Sequence, residues 1–233
     1  FSESGSITIE SGTVQAVAGR AVNHTDADAA GSAGISAGKG SVTINGGEVT
    51  ALVTLSEQGI ADGIRAYGEI KINGGTVTAT GASVSLDGVE PQYSNGIFAE
   101  NGDITITGDH TVVIANSGYA SSGITGIGTD AGDIIIKGGT VRAHSAYPTG
   151  GYSNGFSALK GEDGTGGDIV ISGGTFAAAG YTGGIHCEGD LIARPVNNAI
   201  TMKVLDEVAF LTWELDWDKM DADASEIEGT PFT

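Results

Sequence analysis

Carboxylates are the side chains of this chain whose types and spacing are best suited to chemistry. The chain carries 29 Asp and Glu residues against 10 Lys and Arg, and several of the acids recur beside glycine-rich turns. Carboxylates next to the backbone carbonyls of such turns are the hard oxygen ligands that Ca²⁺ prefers. The acids that flank equivalent turns in successive parts of the chain are Glu100, Asp103, Asp130, Asp133, Asp163, Asp168, Glu188 and Asp190.

These acids predict a calcium site if the turns stack on one another. Two carboxylates at the spacing of neighbouring strands, ~4.8 Å, repel by roughly 0.9 kcal/mol in water and several times more at a lower effective dielectric constant. A column of them must stay hydrated, bind protons or hold cations. The alternative is that each Asp makes a local hydrogen bond in its turn and points into solvent.

Tyrosines form a second group of candidate residues. They lie in the segments just before, or at the start of, a recurring Gly-Ile or Gly-Phe phrase, next to Ser and Asn. If these segments stack, the rings form an offset ladder that suits the apolar faces of sugar rings. The alternative is a structural ladder that only seals the edge of the fold. The predicted carbohydrate-binding residues are Tyr93, Tyr119, Tyr147, Tyr152 and Tyr181.

Three short phrases that recur in a fixed order must position these residues. One reads Gly-Ile-x-Ala and returns every 29 to 33 residues; the second resembles Gly-Asp-Ile-x-Ile, and the third reads Val-x-Ala, usually after two glycines. Each phrase alternates apolar and other residues, which is the pattern of a strand with one buried face. Glycine stands between phrases, where a sharp turn needs a positive φ.

We therefore predict an all-β fold, a right-handed parallel β-helix over residues 1–190 with three short strands in each coil and six to seven coils. Right-handed winding follows from the general preference of parallel crossovers. Ile104, Ile134 and Ile169 should form one interior column. A second column of small residues should mark where the interior is narrow. It contains Ala37, Ala66, Ala99, Ala158 and Cys187.

The repeat fades after residue 190, and we predict that residues 191–233 form the last coil and a cap. From Leu211 the sequence alternates strictly, with Leu211, Trp213, Leu215 and Trp217 on one face. A β-helix has open edges at its ends, and such a face can cover one of them. The alternative is that the two tryptophans stack on a sugar.

The charge balance excludes some classes of function. A formal net charge of -19 repels nucleic acid and anionic lipid, and no apolar run is long enough to span a bilayer. A hydrophobic content of 39% is too high for a disordered acidic chain. Because the chain begins at Phe1 and not at Met, we expect a mature or trimmed form in which a missing export signal is uninformative.

The repeats over residues 33–81, and the closing "ASEIEGTPFT" at residue 224, resemble those of a known family. It is the β-helical carbohydrate-binding family found in secreted and surface proteins of anaerobic gut bacteria and related in fold to pectate lyases. The resemblance covers most of the chain, and its motifs are mainly those that build the coil. It implies an extracellular location on the bacterial cell surface, polysaccharide binding and bound calcium.

Lyases of this kind of fold use calcium to acidify a sugar and a Lys or Arg as base. Lys137, Arg142 and Lys160 are near the acidic turns in sequence, but no cluster of a base with three acids is evident. The four histidines occupy unrelated positions in the repeat. We therefore predict no catalytic residue and a non-catalytic module that binds polysaccharide or serves in adhesion, assisted by calcium. A calcium-dependent polysaccharide lyase and a purely structural stalk remain the alternatives.

Overall fold

The computed structural model describes residues 1–19, 31–56, 59–84, 92–148 and 150–193, and the backbone of two later strands at 201–206 and 209–214. The second phrase of the repeat forms three-residue strands, here called the short sheet. It comprises β1 (Ile7–Ile9), β4 (Val42–Ile44), β7 (Ile70–Ile72), β10 (Ile104–Ile106), β13 (Ile134–Ile136), β16 (Ile169–Ile171) and β19 (Leu191–Ala193).

The third phrase forms the middle sheet. It comprises β2 (Thr13–Ala18), β5 (Glu48–Val53), β8 (Thr76–Thr80), β11 (Val112–Asn116), β14 (Thr140–His144) and β17 (Thr175–Ala179). The Gly-Ile-x-Ala phrase forms the long sheet. It comprises β3 (Gly31–Ala37), β6 (Ile60–Ala66), β9 (Tyr93–Ala99), β12 (Gly123–Thr129), β15 (Tyr152–Ala158) and β18 (Gly183–Cys187).

The chain passes through the short, middle and long sheets in turn, and every strand in them pairs in parallel with its equivalent in the next coil. The fold is therefore the predicted right-handed parallel β-helix, with six coils of three strands and β19 beginning a further one. Ile104 pairs with Ile134, and Ile134 with Ile169, so the predicted interior column is confirmed.

The core runs along the axis of the helix and is built from columns of like residues. The isoleucines of the short sheet, the valines of the middle sheet and one Ile or Phe from each long-sheet strand are buried together. The predicted small-residue column is confirmed from Ala37 to Cys187, but it also contains Thr129 between Ala99 and Ala158. Thr129 fits this narrow column because its Oγ1 donates a hydrogen bond to the carbonyl of Gly102 at 2.9 Å.

Glycine has two different roles in the coil. The second glycine of the turn between the short and middle sheets has a positive φ, for example 94° at Gly47 and 83° at Gly139, as the sequence predicts. The glycine of Gly-Ile-x-Ala lies within its strand and does not occupy a joint, which corrects our expectation for this phrase. A Cβ at Gly96 would lie 2.6 Å from both the Asn116 nitrogen and the Gly126 oxygen, so this glycine permits close approach of two sheets.

After the helix, β20 (Thr201–Asp206) and β21 (Ala209–Glu214) form an antiparallel pair, and β20 lies against β17 and β18 of the last complete coil. Leu211 and Trp213 belong to β21, whereas Leu215 and Trp217 lie outside the described residues. The capping role of residues 191–233 stays a prediction. In the part of the chain that is described, no helix has the length and hydrophobicity needed to cross a membrane.

We predict that Gly96→Ala destabilises the fold, because the new methyl group would meet backbone atoms that cannot move without breaking sheet pairing. The free energy of unfolding should fall by about 1–3 kcal/mol, measured by urea denaturation followed by circular dichroism. Gly19→Ala is the matched control, since a Cβ there meets nothing within 4 Å. Equal stability of the two variants would contradict the close-approach role.

Candidate functional site

The outer surface of the long sheet, here called the long-sheet face, collects polar and aromatic side chains. Ile97 and Ala99 of β9 are buried in the core, so Phe98 between them points away from the axis, and so does its strand partner Arg65. The simple alternation breaks at Gly96, and Arg65 bonds to Asp62, so the column of Asp62, Asn95 and Thr125 lies on the same outer side. Tyr93 and Tyr152 are two residues before that column and share its side. Strand pairing then aligns the outward residues of neighbouring coils in columns. The residues of this face are Asp62, Arg65, Tyr93, Asn95, Phe98, Glu100, Thr125, Asp130, Tyr152, Asn154 and Ser157.

A buried hydrogen-bond ladder runs across three coils of this face. The backbone nitrogen and Nδ2 of Asn95 both donate to Oδ1 of Asp62, at 3.1 and 2.9 Å. Oδ1 of Asn95 in turn accepts from the nitrogen and Oγ1 of Thr125, at 3.1 and 2.7 Å. Asn154 occupies the next position of the same column and is also buried. The ladder fixes the floor of the face, because its polar groups are paired with one another away from water.

Arg65 is held on this floor by three neighbours. Its Nη1 donates to Oδ2 of Asp62 at 2.6 Å and its Nε to Oε1 of Glu100 at 2.9 Å. Its guanidinium carbon lies 5.3 Å from the centre of the Phe98 ring, which adds a cation–π attraction. These contacts fix the orientation of the guanidinium and use two of its five N–H donors.

The buried ion pair has a definite charge state. Burial raises the pKa of the Asp62 carboxyl, while Arg65 and the hydrogen bonds from Asn95 lower it by smaller amounts. Burial lowers the pKa of Arg65, but the charges of Asp62 and Glu100 together raise it by more, so its pKa lies above the usual value. Arg65 therefore remains a cation and is a poor candidate for a general base.

Glu100 and Asp130 follow one another in a column at the end of the long-sheet strands. The nitrogen of Glu100 donates to the carbonyl of Ala66, and that of Asp130 to the carbonyl of Ala99 one coil later. Desolvation raises the pKa of the Asp130 carboxyl, Arg65 opposes this, and Glu100 and Asp62 add to it. The charged form of Asp130 is therefore disfavoured in the fold, but the residue is exposed and water screens the effect.

Two of the predicted tyrosines lie on the long-sheet face. Tyr93 and Tyr152 both pair with Gly123, from opposite sides. A Cβ at Gly123 would lie 2.6 Å from Cζ of Tyr152, so the Tyr152 ring occupies the space that a side chain at 123 would need. Burial, and then the charges of Asp130 and Tyr93, raise the pKa of Tyr152 to about 12. The Tyr152 hydroxyl is therefore neutral and available as a hydrogen-bond donor at physiological pH.

The other three predicted tyrosines lie in the segments between the middle and long sheets, so the five are divided between two places. Tyr147 and Tyr181 pack edge to face with ring centroids 4.5 Å apart. Tyr119, Tyr147 and Tyr181 are all largely exposed. The offset ladder of five tyrosines therefore stays a prediction: Tyr147 and Tyr181 make one edge-to-face contact, and Tyr93 and Tyr152 lie on either side of Gly123.

Four of the predicted acidic residues form one column at the turn between the long and short sheets. Oδ1 of Asp103, Asp133 and Asp168 each accepts a hydrogen bond from the backbone nitrogen of the Asp in the next coil. The distances are 2.9 Å from Asp133 to Asp103, 3.0 Å from Asp168 to Asp133 and 2.7 Å from Asp190 to Asp168. These carboxylates therefore act as acceptors for the backbone of the neighbouring turn, which is closer to the alternative that we stated than to a calcium cage.

The remaining predicted acids do not join that column. Asp163 lies in a longer turn, where its Oδ1 accepts from the nitrogen and Oγ1 of Thr165 at 2.9 and 2.7 Å. Leu159 takes the position next to Asp130, and Glu188 accepts from the Lys160 nitrogen at 2.9 Å. Among the described residues, no group of three or more His, Cys, Asp or Glu is arranged to hold a metal ion. Calcium at this corner stays a prediction.

The basic residues named for a lyase are dispersed. Lys137 lies in the turn between β13 and β14, Arg142 is exposed on the middle sheet, and Lys160 follows the long sheet in an exposed turn. Among the described residues, Arg65 pairs with two acids, Asp62 and Glu100, and Lys71 pairs with Glu69.

Several residues of the long-sheet face were not predicted from the sequence. The missed residues are Asp62, Arg65, Asn95, Phe98, Thr125, Asn154 and Ser157. A signal for some of them was present, because the phrase Tyr-Ser-Asn-Gly occurs at 93 and again at 152, which puts Asn directly before the close-approach glycine. Asp62 and Thr125 occupy the same repeat position in other coils.

Comparison with models of known protein families, with curated proteins and with solved structures found no match for this chain.

We predict that Asp133→Ala destabilises the protein by about 1–2 kcal/mol, because the Asp168 N–H loses its acceptor. Asp133→Asn should restore most of the loss, since its side-chain oxygen can accept the same bond. Urea denaturation measures both variants, with calcium and with EDTA. A calcium-dependent gain in stability that is present in the wild type and absent from Asp133→Asn would instead favour a calcium ligand.

We predict that Asp130→Asn raises the denaturation midpoint at pH 7 but not at pH 3. The folded-state pKa of Asp130 is raised, so the fold favours the protonated form, and this advantage is lost as pH rises through the folded pKa. Asp163→Asn is the control with the same change of charge, because hydrogen bonds from Thr165 lower the pKa of Asp163 and the sign should reverse. Equal shifts in both variants would indicate general charge repulsion only.

Proposed function

We propose that this chain is a non-catalytic polysaccharide-binding module and that the glycan lies along the long-sheet face. The observation that carries the proposal is the pairing of Tyr93 and Tyr152 with a rigid polar floor that includes Asn95 and Asn154. Aromatic rings cover the apolar faces of sugars. The partly exposed Arg65, Glu100 and Asp130 of the same face can exchange hydrogen bonds with sugar hydroxyls, above the buried floor.

The arrangement along the helix axis supports a chain-like ligand. Equivalent positions recur at the strand spacing of ~4.8 Å, so Tyr93 and Tyr152, two coils apart, lie on the order of 10 Å from each other. A site of this form offers repeated contacts to a repeating polymer. The floor is pre-organised by the hydrogen bonds from Asn95 to Asp62 and from Thr125 to Asn95, which lowers the ordering cost of binding.

The non-catalytic part of the proposal is supported by the state of Arg65. A lyase needs a base, and a guanidinium whose pKa is raised by Asp62 and Glu100 is unsuited to that role. The exposed pair Tyr147 and Tyr181 is a second surface with aromatic character, but it lacks a comparable polar floor among the described residues. Location on a bacterial cell surface, calcium assistance and an adhesive role rest on the resemblance and stay predictions.

Affinity electrophoresis tests the proposal, in gels that contain xylan, mannan, β-glucan or pectin, each with calcium and with EDTA. We expect retardation of the wild-type protein in at least one gel. Tyr93→Ala and Tyr152→Ala should each weaken the affinity for that glycan by about tenfold, as removal of a central aromatic contact does. Loss of retardation in EDTA would show that calcium assists.

Tyr147→Ala combined with Tyr181→Ala is the matched control, because it removes two exposed rings outside the long-sheet face. Circular dichroism of each variant confirms that the β-helix is intact. Free migration in every gel would contradict glycan binding. Retardation that depends on Tyr147 and Tyr181 but not on Tyr93 and Tyr152 would contradict the location of the site.

A further inference from the structure

The long-sheet face carries an uncompensated negative charge at one end. Asp62 and Glu100 both bond to Arg65, so that cluster already has more negative than positive charge. Asp130 adds a third carboxylate, and no Lys, Arg or His among the described residues forms an ion pair with it. The raised pKa of Asp130 reflects this surplus together with desolvation.

Ser157 supplies an independent sign that a polar group belongs at this end. It is only 2% exposed, and its Oγ has no hydrogen-bond partner among the described residues. Phe156 and Ala158 on either side of it are buried in the core, so Ser157 points to the long-sheet face. Ser157 is the strand partner of Gly128, and Gly128 is the strand partner of Phe98. The guanidinium of Arg65 lies over the Phe98 ring. A buried hydroxyl without a partner in the chain can be satisfied by a polar group that binds beside it.

Gly128 is in close contact with two larger neighbours on this face. A Cβ there would lie 2.6 Å from Oγ1 of Thr125 and 3.4 Å from Cδ2 of Phe98. Asp130 lies just after the end of β12, two residues beyond Gly128. Its charge interacts with Arg65, Glu100 and Tyr152, all on the long-sheet face. The missing side chain at Gly128 leaves room for the Thr125 hydroxyl and the edge of the Phe98 ring, next to the position of Ser157.

We infer that this end of the long-sheet face binds the protonated amino group of an amino sugar, with Glu100 and Asp130 as charged acceptors and Ser157 as a further hydrogen-bond partner. The inference rests on the proposed glycan-binding function and names the class of glycan, one with free amino groups. An ammonium has three N–H donors, which this set of acceptors can satisfy.

An ammonium suits these residues better than a divalent cation or a basic peptide does. Calcium needs six to eight oxygen ligands, and the described residues contain no group of acids arranged to hold a metal ion. A lysine side chain could also bind to the carboxylates. It has no sugar ring to lie on Tyr93 and Tyr152, and no sugar hydroxyls to bond to polar groups of the face. An anionic glycan would be repelled by the surplus carboxylates.

Calorimetric titration with oligomers of equal length tests the inference. The buffer contains EDTA and has a pH at which the amino groups of the glucosamine oligomer are protonated. The probes are a fully deacetylated glucosamine oligomer, its N-acetylated counterpart, a galacturonic acid oligomer and a lysine oligomer. We expect the deacetylated oligomer to bind most tightly. Asp130→Asn should weaken it by about tenfold or more, as loss of a charge-assisted hydrogen bond does, and Ser157→Ala should weaken it less.

Asp163→Asn is the matched control, since it removes one negative charge from an exposed turn outside the face. Equal weakening by Asp163→Asn and Asp130→Asn would show general attraction to a chain of net charge -19 and overturn the inference. Equal affinity for the lysine oligomer would overturn the sugar assignment. Binding of the N-acetylated oligomer at equal strength, unaffected by Asp130→Asn but lost in Tyr152→Ala, would overturn the amine site and leave the proposed function standing. Failure of every saccharide to bind would contradict both.

Discussion

The hydrogen-bonded pairing of each strand with its equivalent in the next coil is the constraint on which the rest of this structure depends. Parallel pairing in register places every residue at about 4.8 Å from its counterparts above and below, so side chains act as columns. An inward column must be apolar and uniform in size, as the isoleucines of the short sheet are. The polar groups of a buried outward column must find hydrogen-bond partners within the column. Asp62, Asn95 and Thr125 do so by bonding to one another.

The same constraint explains why charge collects where it does. The stacked acids at the turn between the long and short sheets have hydrogen-bond partners in the backbone of the next coil. Asp133, for example, accepts from the Asp168 N–H. On the long-sheet face, Asp62 and Glu100 instead share Arg65, and Asp130 has no such partner among the described residues. The proposed binding role would account for a carboxylate whose pKa is raised by desolvation.

The sequence predicted the coil well because its phrases repeat at a constant spacing, and strand pairing converts that spacing directly into columns such as Ile104, Ile134 and Ile169. It predicted the site less well. Arg65 contacts Asp62 in its own coil and Glu100 in the next one. The partner of an outward side chain depends on side-chain length and rotamer, which the repeat spacing does not predict. The stacked Asp column was predicted, but its use as a backbone acceptor and the displacement of Asp163 into a longer turn were not.

Nuclear magnetic resonance titration of the wild-type protein with oligosaccharides from whichever glycan retards it is the most direct test of the long-sheet face as the binding site. The account predicts chemical-shift changes that follow β9, β12 and β15 and include the side-chain amide of Asn154 and the ring of Tyr152. Changes confined to the segments that carry Tyr147 and Tyr181, or spread over the middle sheet, would contradict it.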